Sequence, residues 1–391
     1  MGRAMAVAVS LVVFGVAAGA QSGAAGPLPT RGCASAWTVV LQPPSMPGSG
    51  QLQGVSASSA VDAWAVGSLF TDVDQVGHSL AQHFDGTSWS VVPAPDGPSA
   101  TTSALAAVSA HAANDAWAVG LSIRANNLVR ALVEHWDGVS WARLKTPNAG
   151  HPANGQLNGV AAIAPDDAWA VGSFGQGAPS RTLIEHWDGA SWSIVPSPNK
   201  GPFPNGLSAI EAVAPDDIWA VGSWFTKAFV DRTLVLHWDG TVWTRVPSPN
   251  AGAADNNLVS VAAIATDDVW AVGFRGLHTL TMHWDGTAWT VVPSPSPGGS
   301  ADLAGVVAIA ANDVWAVGGR VDRQANALHT LAEHWDGMSW TVVDSPNKGP
   351  SDNHLWAVTE ASGHMFAIGM RFRNSGGTGS TAPLTLERCG P

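Results

Sequence analysis

The chain has 391 residues, with 18 Lys and Arg against 30 Asp and Glu, a formal charge of −12. That acidic balance argues against a nucleic-acid footprint, which needs a basic face. Charged residues make up only 12% of the chain beside 43 Gly and 26 Pro, a composition that disfavours long surface helices and suits short strands joined by tight turns.

Residues 1–20 read as a secretory signal: Arg3 is the positive n-region, Ala4 to Ala18 the apolar core, and Ala18-Gly19-Ala20 the small-residue cleavage site. An apolar run of about 15 residues is short for a membrane span, and no later stretch approaches membrane length. Cys33 follows Thr-Arg-Gly, unlike a lipid-anchor site. The expectation is an extracellular or cell-surface protein with no transmembrane span once the signal is removed; retention as an uncleaved anchor is the alternative. Residues 21–32 form a flexible lead-in.

From there one unit repeats. Trp-Ala-Val-Gly begins at Trp64, Trp117, Trp169, Trp219, Trp270 and Trp315, at intervals of 45 to 53 residues, with a weaker copy at Phe366-Ala-Ile-Gly369. A Leu precedes each by 11 or 12 residues, from Leu52 to Leu355. His-Trp-Asp-Gly follows at 135–138, 186–189, 237–240, 283–286 and 334–337, and His-Phe-Asp-Gly at 83–86. A further Trp closes each unit: Trp89, Trp141, Trp192, Trp243, Trp289 and Trp340. Eighteen of the 20 Trp residues occupy such repeated positions, so their role is periodic. A period near 50 denotes an array of units, none of which buries its apolar face alone.

Within the third unit, Leu157–Ile163 is a strand rich in small residues, Pro165-Asp166-Asp167 a turn, and Ala168–Gly172 a second strand. Thr182–Trp187 is a third, Asp188-Gly189 a hairpin turn, and Trp192–Val195 a fourth ended by Pro196. No segment holds a 3.6-residue apolar period. Four antiparallel strands repeated about an axis predict an all-β, seven-bladed β-propeller. Its blades span 52–95, 105–147, 157–198, 207–249, 258–295, 303–346 and 355–390, the last completed by residues 33–42. Small first strands belong near the axis, and Trp residues fill the widening gaps between blades.

The two cysteines fit that closure. Aligning Glu387 with Glu185 places Cys389 at the Trp187 position, and aligning Trp37 with Trp192 places Cys33 at the Asp188 position. Those positions are neighbours in an intact unit, so a Cys33–Cys389 disulfide is expected, of a kind that persists in an oxidising compartment.

The apolar strand ending in Gly, the Trp187-Asp188-Gly189 turn and the fourth-strand Trp192 resemble a kelch repeat, over nearly all of residues 33–390. The resemblance implies a kelch or galactose-oxidase-like propeller closed by an N-terminal fourth strand. Only Gly318-Gly319 matches the family's double glycine, and Trp stands where its third-strand Tyr belongs. The turn is also similar to the Asp-box of sialidase propellers, with a spacing one residue short. Copper-radical oxidases of this fold need a Tyr–Cys pair, and sialidase-like enzymes a Tyr nucleophile. The chain has no Tyr, so the resemblance carries shape without either active site.

Residues repeated in every unit should carry the fold, and those that break the repeat should carry a site. The six motif histidines (His83, His135, His186, His237, His283, His334) are therefore read as structural, and Asp166-Asp167, Asp216-Asp217 and Asp267-Asp268 as turn formers. The second-to-third strand loops vary most in length and share one face with the unit-to-unit linkers. Five residues before the motif His stand His78, Arg130, Arg181, Arg232, His278 and His329. Together with loop cations such as Arg124, Arg275 and Arg323, these could attract an anionic ligand. Arg130, Arg181, Arg232, His278, His329 and the loop aromatic Trp224 are the ligand-binding candidates, beside Phe225 and Phe229. Asp72-Val-Asp74-Gln-Val-Gly77 resembles part of a calcium loop but lacks its third and last acidic ligands, so no cofactor and no metal are expected. Glu211 and Glu360, near the first strands, are the candidate catalytic carboxylates. His-Glu-x-x-His and Gly-x-Ser-x-Gly motifs are absent. The favoured function is a non-catalytic binding module for an extracellular glycan or protein, acting as a monomer. A carbohydrate-active hydrolase or lyase and a purely structural surface protein are the alternatives.

Overall fold

Trp169, Ala170, Val171 and Gly172 are all buried, although alternate residues of a strand point to opposite faces. A strand buried on both faces must lie between other sheets. In this computed structural model every Trp-Ala-Val-Gly segment is such a strand. The structure describes residues 33–43, 48–71, 76–98, 100–147, 154–175, 179–375 and 378–390. The signal, the lead-in and the Asp72–Asp74 calcium reading fall outside them.

The described residues form strands and turns without a helix. The third unit consists of Gly155–Ala164, Asp167–Phe174, Arg181–Trp187 and Trp192–Ile194, antiparallel and hydrogen-bonded in that order. Five sheets have this four-stranded form. A sixth, of eight strands, consists of the first and second units joined by one parallel bridge between Gly77 and Thr102. These are the sheets of a β-propeller. Each first strand carries a bulge just after its Leu. At the third unit the bulge presses a carbonyl against the next strand: a Cβ on Gly172 would lie 2.0 Å from Gln156 O. The Gly of Trp-Ala-Val-Gly is thus a space requirement.

Aromatic rings join unit to unit. Trp64 meets Trp136 and Trp141 of the next unit at 4.7 and 4.9 Å. The same pattern follows for Trp117 on Trp187 and Trp192, Trp169 on Trp238 and Trp243, Trp219 on Trp284 and Trp289, and Trp270 on Trp335 and Trp340. Trp315 meets Trp37 at 6.0 Å, and the Arg388 guanidinium covers its ring at 4.1 Å. Phe366, the Trp equivalent of the last unit, packs against Phe84 and Trp89 of the first at 4.9 and 5.3 Å.

The last sheet runs Thr38–Val39, Thr378–Cys389, His364–Ser375, Asn353–Ala361. Its fourth strand comes from the N-terminal segment, Thr38 pairing with Glu387. Cys33 and Cys389 form the disulfide, with Cα atoms 5.6 Å apart. The register differs from the sequence reading by one residue. Phe366 pairs with Glu387 as Trp169 pairs with His186, so Glu387 occupies the motif-His position and Cys389 that of Asp188. The cause is an exchange of partners: His364 stands at the Asp position, its Nε2 3.6 Å from Glu387 Oε2. Acid and base have traded strands, and the Glu387–Glu185 alignment followed the wrong acid.

Loss of the disulfide leaves the N-terminal strand held by its hydrogen bonds and the packing of Trp37 alone. Cys33→Ser should lower stability by about 2–5 kcal/mol, read as a shifted midpoint in denaturant. Trp219→Ala removes a ring that two tryptophans of the next unit contact, and should cost about 3–5 kcal/mol by the same measurement.

Candidate functional site

The repeated polar residues are consumed by the fold. His83, His135, His186, His237, His283 and His334 each place Nε2 2.6 to 2.9 Å from Oδ1 of Asp62, Asp115, Asp167, Asp217, Asp268 or Asp313. Each ring also lies 4.2 to 4.5 Å from the Trp of its own unit. The Asp read only as a turn former is therefore also the partner of the motif His. In the Asp-Gly turns the Asp accepts backbone N–H groups two and three residues on. Where Thr follows, its hydroxyl and those N–H groups hold Asp85, Asp239 and Asp285 down at about 2. All these carboxylates sit at the end of the sheets formed by the first-to-second and third-to-fourth turns.

The opposite end gathers the variable loops and the linkers. Arg130 and Arg181 pair across the sheet with Ser122 and Phe174, and Arg232 with Trp224. Arg181 donates to Gly201 O at 3.0 Å, and Arg232 to Ala254 O and Ala253 O at 2.6 and 3.1 Å. Both fasten a linker to its sheet. His278 is exposed, and His329 Nδ1 lies 3.6 Å from Asp322. The structure therefore does not bring these candidates to one point: each sits at the start of a different third strand. Trp224 belongs to strand Asp217–Phe225 and is half-buried, its ring 5.7 Å from Lys200 Nζ, so the loop assignment is corrected. Phe229 is the aromatic that projects, at 71% exposure. Near the last unit, burial and the charges of Arg371 and Arg373 hold Lys348 below the ordinary lysine value.

Ala57, Ala110, Ala161, Ala212, Ala263, Ala308 and Glu360, one residue from each unit's first strand, line a single cavity of about 370 Å³. Glu211 and His111 line it as well. All lie toward the short-turn end of their strands, so both candidate carboxylates face away from the cationic loops. Glu211 is buried, and Glu360 Oε1 accepts the Gly363 N–H at 2.5 Å. His111 was not a sequence candidate, although it interrupts a run of small residues.

A second cavity, of about 190 Å³, lies at the loop end of the second unit and takes in Arg130, Arg124, Arg143 and Lys145. The last two were missed. The signal was present: Lys145 stands where four other units have Pro93, Pro196, Pro247 or Pro293.

Three further acids are fully buried on third strands, Glu134, Glu185 and Glu333. Burial pushes each up to about 8. Both carboxyl oxygens of Glu185 and of Glu333 lack a hydrogen-bond partner among the described residues. The same repeat position holds Gln82, Leu236 or Met282 in other units. It is a fully buried position, and burial favours the neutral form of an acid there.

No known protein family and no curated protein matches the chain by sequence. Solved structures do resemble it. YCF48 from Cyanidioschyzon merolae superposes with a TM-score of 0.55 at 13% identity, covering 90% of this chain and 98% of that one. A YCF48 bound to a D1 peptide gives 0.56 at 15%, covering 91% and 97%. An ancestral GH74 enzyme gives 0.54 at 13%, covering 90% of this chain and 47% of its own, so this chain spans about half of that enzyme. At such identities the likeness establishes the propeller fold alone.

The buried acids make stability depend on pH with a definite sign. Each binds its proton more tightly when folded, at about 8, than at the ordinary value of 4.5. Stability should therefore be highest below pH 4.5 as far as these groups decide it, and fall as pH rises through 8. Glu185→Gln, which copies Gln82, should raise the thermal midpoint at pH 8 and flatten the decline between pH 5 and pH 8.

Proposed function

We propose that the chain is a secreted, kelch-like propeller of seven blades, completed by its N-terminal strand, that acts as a non-catalytic binding module for an acidic partner. Seven first strands lining one cavity, and Phe366 packing on Phe84 and Trp89, support the closed ring. The disulfide supports export into an oxidising compartment.

The gathering of cations at one end carries the binding reading, with Asp96, Asp231, Asp255, Asp302, Asp322 and Asp352 sharing that end in smaller number. Asp85, Asp137, Asp188, Asp239, Asp285 and Asp336 crowd the short-turn end, with the His-bound Asp residues beside them, and Arg388 is the one cation there among the described residues. Arg124, Arg130, Arg181, Arg232, Arg275, Arg320, Arg371 and Arg373 lie at the loop end. A protein with net charge −12 that collects its cations on one face presents a local attraction to anions. An acidic polypeptide is the first reading of the partner, because one structure similar in fold is bound to a peptide. An acidic glycan is the second. A carbohydrate-active enzyme is the runner-up, since Glu211, Glu360 and His111 share the central cavity. Turnover of a glycan, abolished by Glu211→Gln, would replace the binding reading.

Residues 21–391 should bind acidic peptides or acidic glycans in preference to neutral ones, with affinity falling as salt rises. An Arg275→Glu, Arg323→Glu variant should weaken binding about tenfold, equivalent to roughly 1.4 kcal/mol. Binding indifferent to both salt and the variant would overturn the assignment.

A further inference from the structure

Period-two alternation aligns four cations on one face of the second unit's sheet. Arg130 pairs with Ser122, and Arg124 lies two residues beyond Ser122. Arg143 pairs with Glu134, four residues from Arg130, and Lys145 lies two residues past Arg143. Residues two or four apart on a strand share a face. The linker before the unit's first strand closes over that face at Gly97 and leaves the cavity of about 190 Å³. Glycine is required for the approach, because a Cβ there would lie 2.3 Å from Ser122 Cβ.

None of the residues lining this cavity is acidic. The nearby Asp96 is already engaged, accepting the Ser79 N–H at 2.8 Å and lying 2.6 Å from His78 Nδ1. Glu134, paired with Arg143, is pushed up to about 8 by burial and by the charge of Asp96, against the opposing charge of Arg143, so at neutral pH it offers little counter-charge. The Arg124 Nε is buried without a hydrogen-bond partner, a donor whose desolvation goes uncompensated. The cationic set also breaks the repeat. The position of Arg124 is Thr71, Gln176, Thr226, Leu277 or Asp322 in the other five Trp-Ala-Val-Gly units, and that of Lys145 is Pro or Asp344.

We propose that this cavity is an oxyanion subsite for a doubly charged sulfate or phosphate group, held by Arg124, Arg143 and Lys145 with Arg130 adding charge. It deepens the loop-face reading above and rests on it for the identity of the larger ligand. A tetrahedral dianion accepts several donors at once and suits a convergent cationic set. At about 190 Å³ the space falls below the roughly 300 Å³ at which drug-sized pockets begin. It therefore takes a group and not a whole ligand.

Inorganic sulfate and phosphate are the probes, titrated calorimetrically into residues 21–391 at constant ionic strength against a chloride control. One saturable site is expected. Arg124→Gln and Lys145→Gln should each weaken it by about tenfold or more, as the loss of a charge-assisted hydrogen bond does. Arg245→Gln, which removes the same charge at the Arg143 position of another unit, should leave it unchanged. An unaltered thermal midpoint in chloride shows that each variant is folded. Absence of saturable binding, or equal weakening by Arg245→Gln, would overturn the subsite in favour of diffuse screening. Sulfate binding that depends on Arg124, in a protein that takes no acidic peptide or glycan, would leave the subsite standing and remove the loop-face function. Acidic-ligand binding undisturbed by Arg124→Gln would do the reverse.

Discussion

The structure depends on a handover of aromatic rings. The Trp of each second strand lies against aromatic residues of the unit that follows, so no unit completes its own core. Each such ring buries on the order of 150–250 Å². Because the contact points always to the following unit, the series would end with one exposed aromatic and one unfilled hollow. Phe366 and the Phe84–Trp89 pair are the two ends of that series, and they meet. The replacement of Trp by Phe at both ends of the series keeps the ring and reduces its size at that contact.

A scaffold made this way commits its repeated polar groups. The motif histidines stack on the Trp of their own unit and lie against an Asp across the sheet, which leaves them little capacity for a ligand. The Asp of each Asp-Gly turn spends an oxygen on backbone N–H groups. Even Arg181 and Arg232, which vary in type from unit to unit, donate to linker carbonyls. Capacity for recognition remains where a unit departs from its neighbours in both residue type and partner, as the second unit does at Arg124, Arg143 and Lys145.

What could be read from the sequence followed the same division. The Trp spacing identified the strands, and the two incomplete ends of the array pointed to the disulfide, because those features recur or complete a recurrence. The His–Asp pairing was hidden, since its partners lie 15 to 21 residues apart on strands whose register no local pattern specifies. The exchange between His364 and Glu387 misled by one residue because an acid at either of two adjacent positions looks alike in one dimension. Trp224 looked like a loop residue because it follows the Gly that ends the motif, yet the strand continues to Phe225. The cluster at Arg124 required knowing that alternation, hairpin register and a linker converge on one face.

The Cys33–Cys389 bond joins residues 356 apart, and with it the intervening backbone becomes a covalent circle. One cut in any linker of such a molecule opens the circle without dividing it, so a single proteolytic event yields no fragment to diffuse away. The order of units along the chain also ceases to define a beginning. The same strands could be encoded with new ends in the third-to-fourth strand turn of another unit, each choice splitting a different sheet between head and tail. A nick that opens the chain without releasing a piece of it is what this one bond confers.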